Sequence, residues 1–310
     1  MSLAHFSSNS AEIVEVAPRD GFQSVREPME TAHKVSIINA FVDAGCQRIE
    51  AGSFVSPNAV PQMADMADIA ASIKPATSTS FMALVPNRRG IELALRSGFH
   101  DFAYVFSVSE SHNQNNVGRS VTESLDDLAD LITLLNDLSD PWRLRVDLAT
   151  SFDCPFEGQQ SSSRVLELVK RVQEIVPAAE IALCDTTGRA NPYQVGALFK
   201  RVMQSATSTE TIWAYHGHDT FGLGVANALA AYQVGVRVFD ASAAGLGGCP
   251  FAPGATGNTA TEDLVFAFEE CGIRTGINLA RLLEIADRVA AIPQACVASH
   301  LRHVPRSRVI

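Results

Sequence analysis

The fold is decided by a short apolar run that ends in two histidines, Thr211-Ile212-Trp213-Ala214-Tyr215-His216-Gly217-His218-Asp219-Thr220. The apolar run predicts a strand over residues 212–216. Because side chains two positions apart point to the same side of a strand, His216 and His218 can converge on one point. Two neutral imidazoles so placed can be neighbouring ligands of a divalent metal, although a strand end with ordinary hydrogen bonds has the same pattern.

Seven further segments also predict short strands, and each is followed by a stretch of helix length. These segments are Ile13–Ala17, Arg48–Gly52, Ser80–Val85, Phe102–Val108, Leu144–Thr150, Glu180–Cys184 and Arg237–Ala241. The stretches between them carry apolar residues at helical spacing. Eight strand–helix units predict an α/β fold, a (β/α)8 TIM barrel. An open doubly wound sheet is the alternative, but no Gly-x-Gly-x-x-Gly opens the first helix.

No low-complexity linker divides the chain, so we expect residues 1–310 to form one catalytic barrel domain, with residues 1–11 as a disordered lead. After the eighth strand the helical spacing continues. Residues 259–303 therefore predict additional C-terminal helices that extend the barrel wall or mediate assembly.

The composition limits the classes of partner. With 46% hydrophobic and 19% charged residues, the chain can bury a large core. A net charge of −10 argues against a nucleic-acid surface, which needs clustered Lys and Arg. No apolar run is long enough to cross a membrane, and the N-terminus lacks the features of a targeting signal. Six scattered cysteines without a Cys-x-x-Cys pair favour a reducing cytoplasm over a disulfide framework.

Reactive residues follow the carboxyl ends of the predicted strands, which is where barrel active sites lie. Asp20 follows the first strand and forms a mixed oxygen and nitrogen donor set with His216 and His218. Asn258 could add an amide oxygen. Such a set suits octahedral Mg²⁺ or Mn²⁺ with open positions better than a closed zinc site. Asp20 and Asn258 could instead cap helices.

Arg19, Glu50 and Cys249 offer the groups that carbon–carbon bond cleavage would need. The Arg19 fork could hold a thioester or enolate oxygen, and Glu50 could orient it, unless the two form only a structural pair. Cys249 lies in a glycine-rich loop that could bend over a ligand and exchange a proton, although a buried inert thiol is the alternative. With a metal that acidifies a bound hydroxyl, these groups describe a retro-aldol or retro-Claisen lyase, or the reverse condensation.

A barrel that binds acyl-CoA or metal without catalysis is the alternative from another class. It is disfavoured because a binding module has no need of both Arg19 and Cys249. No P-loop, nicotinamide fingerprint or nucleophile elbow competes for the assignment.

Several segments carry a resemblance to a known family. They are Glu15–Gln23, Ile49–Met63, Cys154–Gly158, Asp185–Gly188, His216–Thr220, Ala244–Phe251, Gly257-Asn258 and Thr261–Asp263. In these segments the chain resembles the 3-hydroxy-3-methylglutaryl-CoA lyases, which belong to the metal-dependent lyase and synthase barrels. The matches extend over most of the chain, and Gly-Leu-Gly-Gly-Cys-Pro at residues 245–250 is the most lyase-specific of them.

The resemblance implies a divalent metal, Mg²⁺ or Mn²⁺, and an acyl-CoA substrate cleaved to acetyl-CoA and acetoacetate. The metal ligands it implies are Asp20, His216, His218 and Asn258. It implies that Arg19 binds the acyl carbonyl and stabilises the enolate, that Cys249 transfers a proton, and that Glu50 and Asp185 are supporting acids. Arg26 falls where the family has a basic residue that reaches the CoA phosphates. The family fold is a barrel with added C-terminal helices, often a homodimer.

The chain departs from the family pattern after the fourth predicted strand. Residues 109–116 differ from the usual lyase sequence and place His112 where the related synthases tend to carry a histidine. Loops after barrel strands set substrate choice, so the acyl group is the least determined feature. A related lyase, aldolase or Claisen-type synthase with another hydroxy-acyl substrate is therefore the alternative. Phe22 and Gly217 stand where many members have leucine and cysteine.

Overall fold

The computed structural model describes residues 9–248 and 257–309. Eight parallel strands form its centre: β1 (Glu12–Glu15), β2 (Arg48–Ser53), β3 (Ser80–Leu84), β4 (Asp101–Ser107), β5 (Arg143–Ala149), β6 (Glu180–Asp185), β7 (Ile212–Gly217) and β8 (Val238–Ala241). The strands pair in chain order, and β1 closes the ring against β8. The predicted TIM barrel is confirmed, because closure in this order leaves no sheet edge.

Helices surround the barrel: α1 (Thr31–Asp43), α2 (Met66–Ser72), α3 (Arg88–Arg96), α4 (Glu110–Val117), α5 (Val121–Asn136), α6 (Ser162–Ile175), α7 (Pro192–Gln204), α8 (Gly224–Gln233), α9 (Thr261–Glu270) and α10 (Leu279–Ala290). Helix α9 contacts β1 and β8 and is the eighth barrel helix. The helices added to the barrel are α4, between β4 and α5, and α10, which packs on α1. Within the described ranges, no helix combines the length and apolar character needed to cross a membrane.

The helix starts follow from local sequence. At α5, Ser120 Oγ accepts a hydrogen bond from the Glu123 backbone N–H, and the Glu123 carboxylate accepts one from the Ser120 N–H. Asn191 and Gln194 form the same reciprocal box at α7, where Pro192 occupies the first helical turn. Such caps satisfy N–H groups that have no partner inside the helix and contribute about 1 kcal/mol each.

The larger apolar core lies between the strands and the helices, and the barrel interior combines a smaller apolar cluster with buried charges. Arg48 is buried and pairs with both oxygens of Asp101 at 3.0 Å and with Glu180 at 2.5 Å. Arg145 is equally buried and donates to Asp240 at 2.7 Å. Buried charges persist only when they are paired, so these ion pairs bind opposite walls of the barrel to each other.

The chain leaves β1 through a single π-helical turn, Ala17–Gly21. The backbone N–H groups of Arg19, Asp20 and Gly21 all approach the Val16 carbonyl, at 3.1, 2.8 and 3.3 Å. Gly21 is needed here for close approach, because an ideal Cβ on it would lie 2.9 Å from the Leu246 side chain. The turn places two reactive side chains in succession at the carboxyl end of the barrel.

Candidate active site

Three of the predicted metal ligands lie together at the carboxyl end of the barrel. Asp20 comes from the turn after β1, His216 from β7 and His218 from the residue beyond it. Their ligand atoms lie within 4.8 Å of one another. Donors around one divalent ion are about 3 to 4.4 Å apart when the bonds are near 2.1 Å. Small side-chain adjustments would therefore let all three bind the same ion.

Asn258 joins this cluster from the loop before α9. Its Nδ2 donates to Asp20 Oδ2 at 2.7 Å and to the Leu246 carbonyl at 3.2 Å. Its Oδ1 is buried with no hydrogen-bond partner among the described residues. A buried acceptor without a partner costs about 1–3 kcal/mol, and a cation beside it would remove that cost. Ala260 is the N-cap of α9, so Asn258 has no capping role there.

Two glycines allow the chain to pack closely around Asn258. An ideal Cβ on Gly257 would lie 2.2 Å from the Gly245 carbonyl oxygen, which no side chain could tolerate. Gly247 has φ 154°, and a Cβ there would lie 2.7 Å from Asn258 Nδ2. The glycine-rich loop therefore holds Asn258 against the cluster. Cys249 belongs to the same glycine-rich sequence but lies outside the described residues, so its role stays a prediction.

Asp240 on β8 orients one of the histidines. Its Oδ2 accepts a hydrogen bond from His216 Nδ1 at 3.0 Å. Burial alone would raise the pKa of Asp240, but Arg145 and the His216 hydrogen bond hold it below its ordinary value. An ionised carboxylate that accepts this hydrogen bond keeps the proton of His216 on Nδ1, so that the lone pair of Nε2 is available to a metal. Sequence reasoning missed Asp240, whose only signal is a lone acid near the end of an apolar strand.

Arg19 and Glu50 form a buried pair beside the cluster. Arg19 Nε donates to Glu50 Oε2 at 2.7 Å, and its Nη1 donates to Asp20 Oδ1 at 2.5 Å. Within the described ranges, Nη2 makes no hydrogen bond and remains a donor for a ligand. Burial raises the pKa of Glu50 to about 7, against the opposing effect of Arg19. The pair fixes the direction of the guanidinium.

The side chains of Asp185 and Arg26 are not part of the ligand cluster, although the Asp185 carbonyl accepts a hydrogen bond from the His218 N–H at 3.2 Å. Asp185 ends β6, and its carboxylate accepts hydrogen bonds from the backbone N–H groups of Arg189 and Ala190 at 3.0 and 3.1 Å. Burial raises its pKa to about 7. It therefore holds the loop after β6. Arg26 is exposed in the loop before α1 and makes no ion pair with any described residue.

The segment that departs from the family pattern forms most of α4. Its His112 is buried, with Nδ1 2.7 Å from Ser107 Oγ and the ring 6.1 Å from that of Phe156. Burial lowers the pKa of His112 to about 4, so the imidazole is neutral at physiological pH. Ser109 Oγ accepts a hydrogen bond from the Cys154 thiol at 2.9 Å, and this bond connects α4 to the loop after β5.

Comparison with known proteins agrees with this geometry. The HMGL-like family model matches residues 10–289. A hydroxymethylglutaryl-CoA lyase from Pseudomonas mevalonii is 37% identical over 282 residues, which cover 91% of this chain and 92% of the relative. An (R)-citramalyl-CoA lyase from Chloroflexus aurantiacus is 42% identical over 289 residues, which cover 90% of each.

Solved structures show the same relationship. The HMG-CoA lyase of Bacillus subtilis has a TM-score of 0.88 at 36% identity, covering 95% of this chain and 97% of that one. An HMG-CoA lyase from Acinetobacter baumannii, solved with coenzyme A and 3-methylmalate, has a TM-score of 0.87 at 37% identity, covering 97% and 96%. With its barrel and its cluster of Asp20, His216 and His218, the chain belongs to the HMGL-like family and is a carbon–carbon lyase.

Proposed function

We propose that this chain is a divalent-metal-dependent lyase that cleaves 3-hydroxy-3-methylglutaryl-CoA to acetyl-CoA and acetoacetate. The observation that carries the proposal is the convergence of Asp20, His216 and His218 beside the free Nη2 of Arg19. A metal site alone would serve many reactions. A guanidinium held beside it adds a place for the negative charge that develops when a carbon–carbon bond next to a thioester breaks.

The residues that would hold Mg²⁺ or Mn²⁺ are Asp20, His216, His218 and Asn258. Their mixed oxygen and nitrogen donors, and the buried Oδ1 of Asn258 without a partner, support this assignment. Such an ion, when bound, lowers the pKa of a coordinated hydroxyl and fixes its orientation. Asp240 supports the site by holding His216 in the tautomer that offers Nε2.

Arg19 would bind the thioester oxygen of the substrate. A base takes the proton of the carbinol hydroxyl, whose oxygen becomes the ketone oxygen of acetoacetate. The bond from the carbinol carbon to the methylene next to the thioester breaks, and its electron pair moves into the acetyl fragment and forms a thioester enolate. The Arg19 guanidinium donates to that oxygen, and Glu50 keeps the fork in position. The enolate carbon then takes up a proton, for which the family resemblance indicates Cys249. Asp185 is a positioning residue in this scheme, because its carboxylate accepts hydrogen bonds from backbone N–H groups of the loop after β6.

A second candidate substrate is (R)-citramalyl-CoA, which is favoured by the 42% identity to the Chloroflexus aurantiacus lyase. It has one methylene fewer between the carbinol carbon and the carboxylate, and its cleavage gives pyruvate. One methylene in a pocket is worth about 1–3 kcal/mol of discrimination, so one site can prefer either substrate. The segment around His112 is where we expect the choice to be made.

The test is a paired assay of both thioesters with the metal-loaded protein. We expect acetyl-CoA from at least one of them, with acetoacetate or pyruvate as the second product. A chelator should abolish turnover, and added Mg²⁺ or Mn²⁺ should restore it. The surface variant Glu284→Gln on α10 serves as the control with unchanged turnover. If the metal-loaded protein cleaves neither thioester, the proposal is wrong.

We extend the proposal to three features of the intact enzyme. Arg26 would bind CoA phosphates, and Arg26→Ala should then weaken CoA binding less at high salt than at low salt.

The chain would act as a homodimer, which sedimentation can measure. A cytoplasmic location is supported by the described cysteines, which are all free thiols.

A further inference from the structure

A second cavity lies at the amino-terminal end of the barrel, opposite the metal cluster. It is lined by the first residues of seven strands, from Glu12 of β1 to Ile212 of β7. Its volume of about 760 Å³ is in the range of sites for small organic ligands, roughly 300–1,000 Å³. Its wall is apolar and aromatic, and includes Ile73, Phe81, Phe99, Trp142 and Ile212.

The cations of this cavity already have partners. Arg48 is held by Asp101 and Glu180, as described for the barrel interior. Arg143 donates to Asp101 at 2.7 Å, and Lys74 at the mouth pairs with Asp43 at 3.2 Å. An anionic ligand would therefore have to compete with carboxylates that are already in place.

Two carboxylates of the cavity have acceptor capacity to spare. Glu180 is 8% exposed, and its Oε1 is buried with no hydrogen-bond partner among the described residues. Arg145 Nη1 lies 3.5 Å from that oxygen. The Glu12 side chain makes no hydrogen bond or ion pair within the described ranges. Burial raises the pKa of Glu12, against the opposing effect of Arg48.

We propose that this cavity binds a small organic cation with an aromatic or branched apolar body. Its ammonium group would donate to Glu12 and lie near the negative charge of Glu180, and its body would lie between Phe81 and Trp142. An ammonium carries three N–H donors, which suits two neighbouring carboxylates. Aromatic side chains around the mouth add favourable contact with a cation and remove apolar surface from water. The site is independent of the proposed lyase reaction.

The probe is 2-phenylethylammonium, titrated into the metal-loaded full chain by calorimetry, with 3-phenylpropanoate as an anion of similar shape. We expect one ammonium ion bound per chain and binding of the anion weaker by at least about tenfold. Glu12→Gln should weaken ammonium binding by at least about tenfold. The matched surface variant Glu284→Gln should leave it unchanged. Saturating coenzyme A should not displace the ammonium ion.

A second variant tests the location without altering a charge. Ala178 is exposed at the mouth of the cavity, so Ala178→Trp can fill the opening and leave the fold intact. We expect it to abolish ammonium binding. The proposal is overturned if the ammonium and the anion bind equally, if coenzyme A displaces the ammonium, or if a folded Glu12→Gln or Ala178→Trp variant binds it like wild type.

Discussion

Asp240 and His216 face each other across neighbouring strands, with Oδ2 of the acid 3.0 Å from Nδ1 of the imidazole. Arg145 holds the same carboxylate, with Nη1 and Nη2 at 2.7 and 2.5 Å from its two oxygens. Since this carboxylate stays ionised, Nδ1 of His216 keeps its proton and Nε2 keeps its lone pair. The orientation of a proposed metal ligand therefore depends on a residue of the barrel interior.

Asp240→Asn should weaken Mn²⁺ binding by about 10- to 100-fold, because the amide is a weaker acceptor for His216 and a poorer partner for Arg145. The measurement is calorimetric titration of Mn²⁺ into the variant. Asp147→Asn is the matched control, since Asp147 contacts Arg145 at 2.5 Å but forms no hydrogen bond with His216. Both variants should lose thermal stability. Equal loss of metal affinity in the two would contradict a specific effect on His216.

Arg19→Lys tests the guanidinium fork. Lysine keeps the charge but cannot donate to Glu50 and Asp20 at fixed angles and still present a third donor to substrate. We expect kcat to fall at least about a hundredfold, with KM changed less, as for the loss of one oxyanion donor. Arg88→Lys on the exposed face of α3 is the control. A variant with raised KM and normal kcat would make Arg19 a ground-state anchor.

The buried carboxyl group of Glu15 should make the stability of the protein depend on pH. Glu15 accepts hydrogen bonds from the N–H groups of Ala17 and Ala243 and from the Thr261 hydroxyl. Burial raises its pKa from 4.5 to about 8 despite these bonds. Between these values the folded state holds a proton that the unfolded state has lost, so the free energy of unfolding should fall as pH rises.

The check on Glu15 is chemical denaturation at several pH values between about 4.5 and 8, comparing wild type with Glu15→Gln. Taking the difference between the two proteins removes contributions of metal binding and of other groups. The glutamine variant should show a smaller decline, by a few kcal/mol at most. Parallel curves for the two proteins would mean that Glu15 is not the source of the slope.

The strands were predictable because parallel barrel strands are buried on both faces and read as apolar runs. Ser80–Val85 and Ile212–His216, for example, each differ from the observed strand by one residue at one end. The place of Asp20 near the histidines was predictable for a related reason. Carboxyl ends of parallel strands share one rim, so residues that follow different strands meet there.

The charged interior was not predictable in the same way. Arg145 and Asp240 are 95 positions apart, and each alone indicates an exposed strand position. Only closure of the barrel turns them toward each other. The contacts of Asn258 were not predictable for another reason, since they depend on the close approach of Gly257 to Gly245. Contacts of this kind come from packing and leave no periodic signal in the sequence.

Gly257→Ala should disturb the site through that close approach. The added methyl group would lie 2.2 Å from the Gly245 carbonyl oxygen, so the loop or Asn258 must move. We expect lower thermal stability and Mn²⁺ binding weakened by at least about tenfold. Gly248→Ala is the matched control in the same loop, because the nearest atom to its Cβ would be 4.0 Å away. Wild-type Mn²⁺ binding by the Gly257→Ala protein would argue against Asn258 as a ligand.

Cys249 allows the predicted loop chemistry to be tested by labelling. If the glycine-rich segment closes over substrate, its thiol should react with a small alkylating agent in the free enzyme and be protected by a bound acyl-CoA analogue. Peptide mapping can read each thiol separately. Cys271 and Cys296 are exposed and should label with or without ligand, whereas the buried Cys46 and Cys184 should resist. These four thiols provide internal controls for exposure and for unfolding.

Cys249→Ser separates proton transfer from packing. Serine has nearly the same size, but its hydroxyl has a far higher pKa than a thiol, so turnover should fall by at least about a hundredfold. Mn²⁺ affinity and melting temperature should stay at wild-type values, because neither depends on the acidity of this group. A buried inert cysteine would behave differently, with the variant losing stability and keeping its turnover. Two results together would remove Cys249 from the mechanism: labelling of Cys249 that a bound substrate analogue does not prevent, and wild-type turnover in the serine variant.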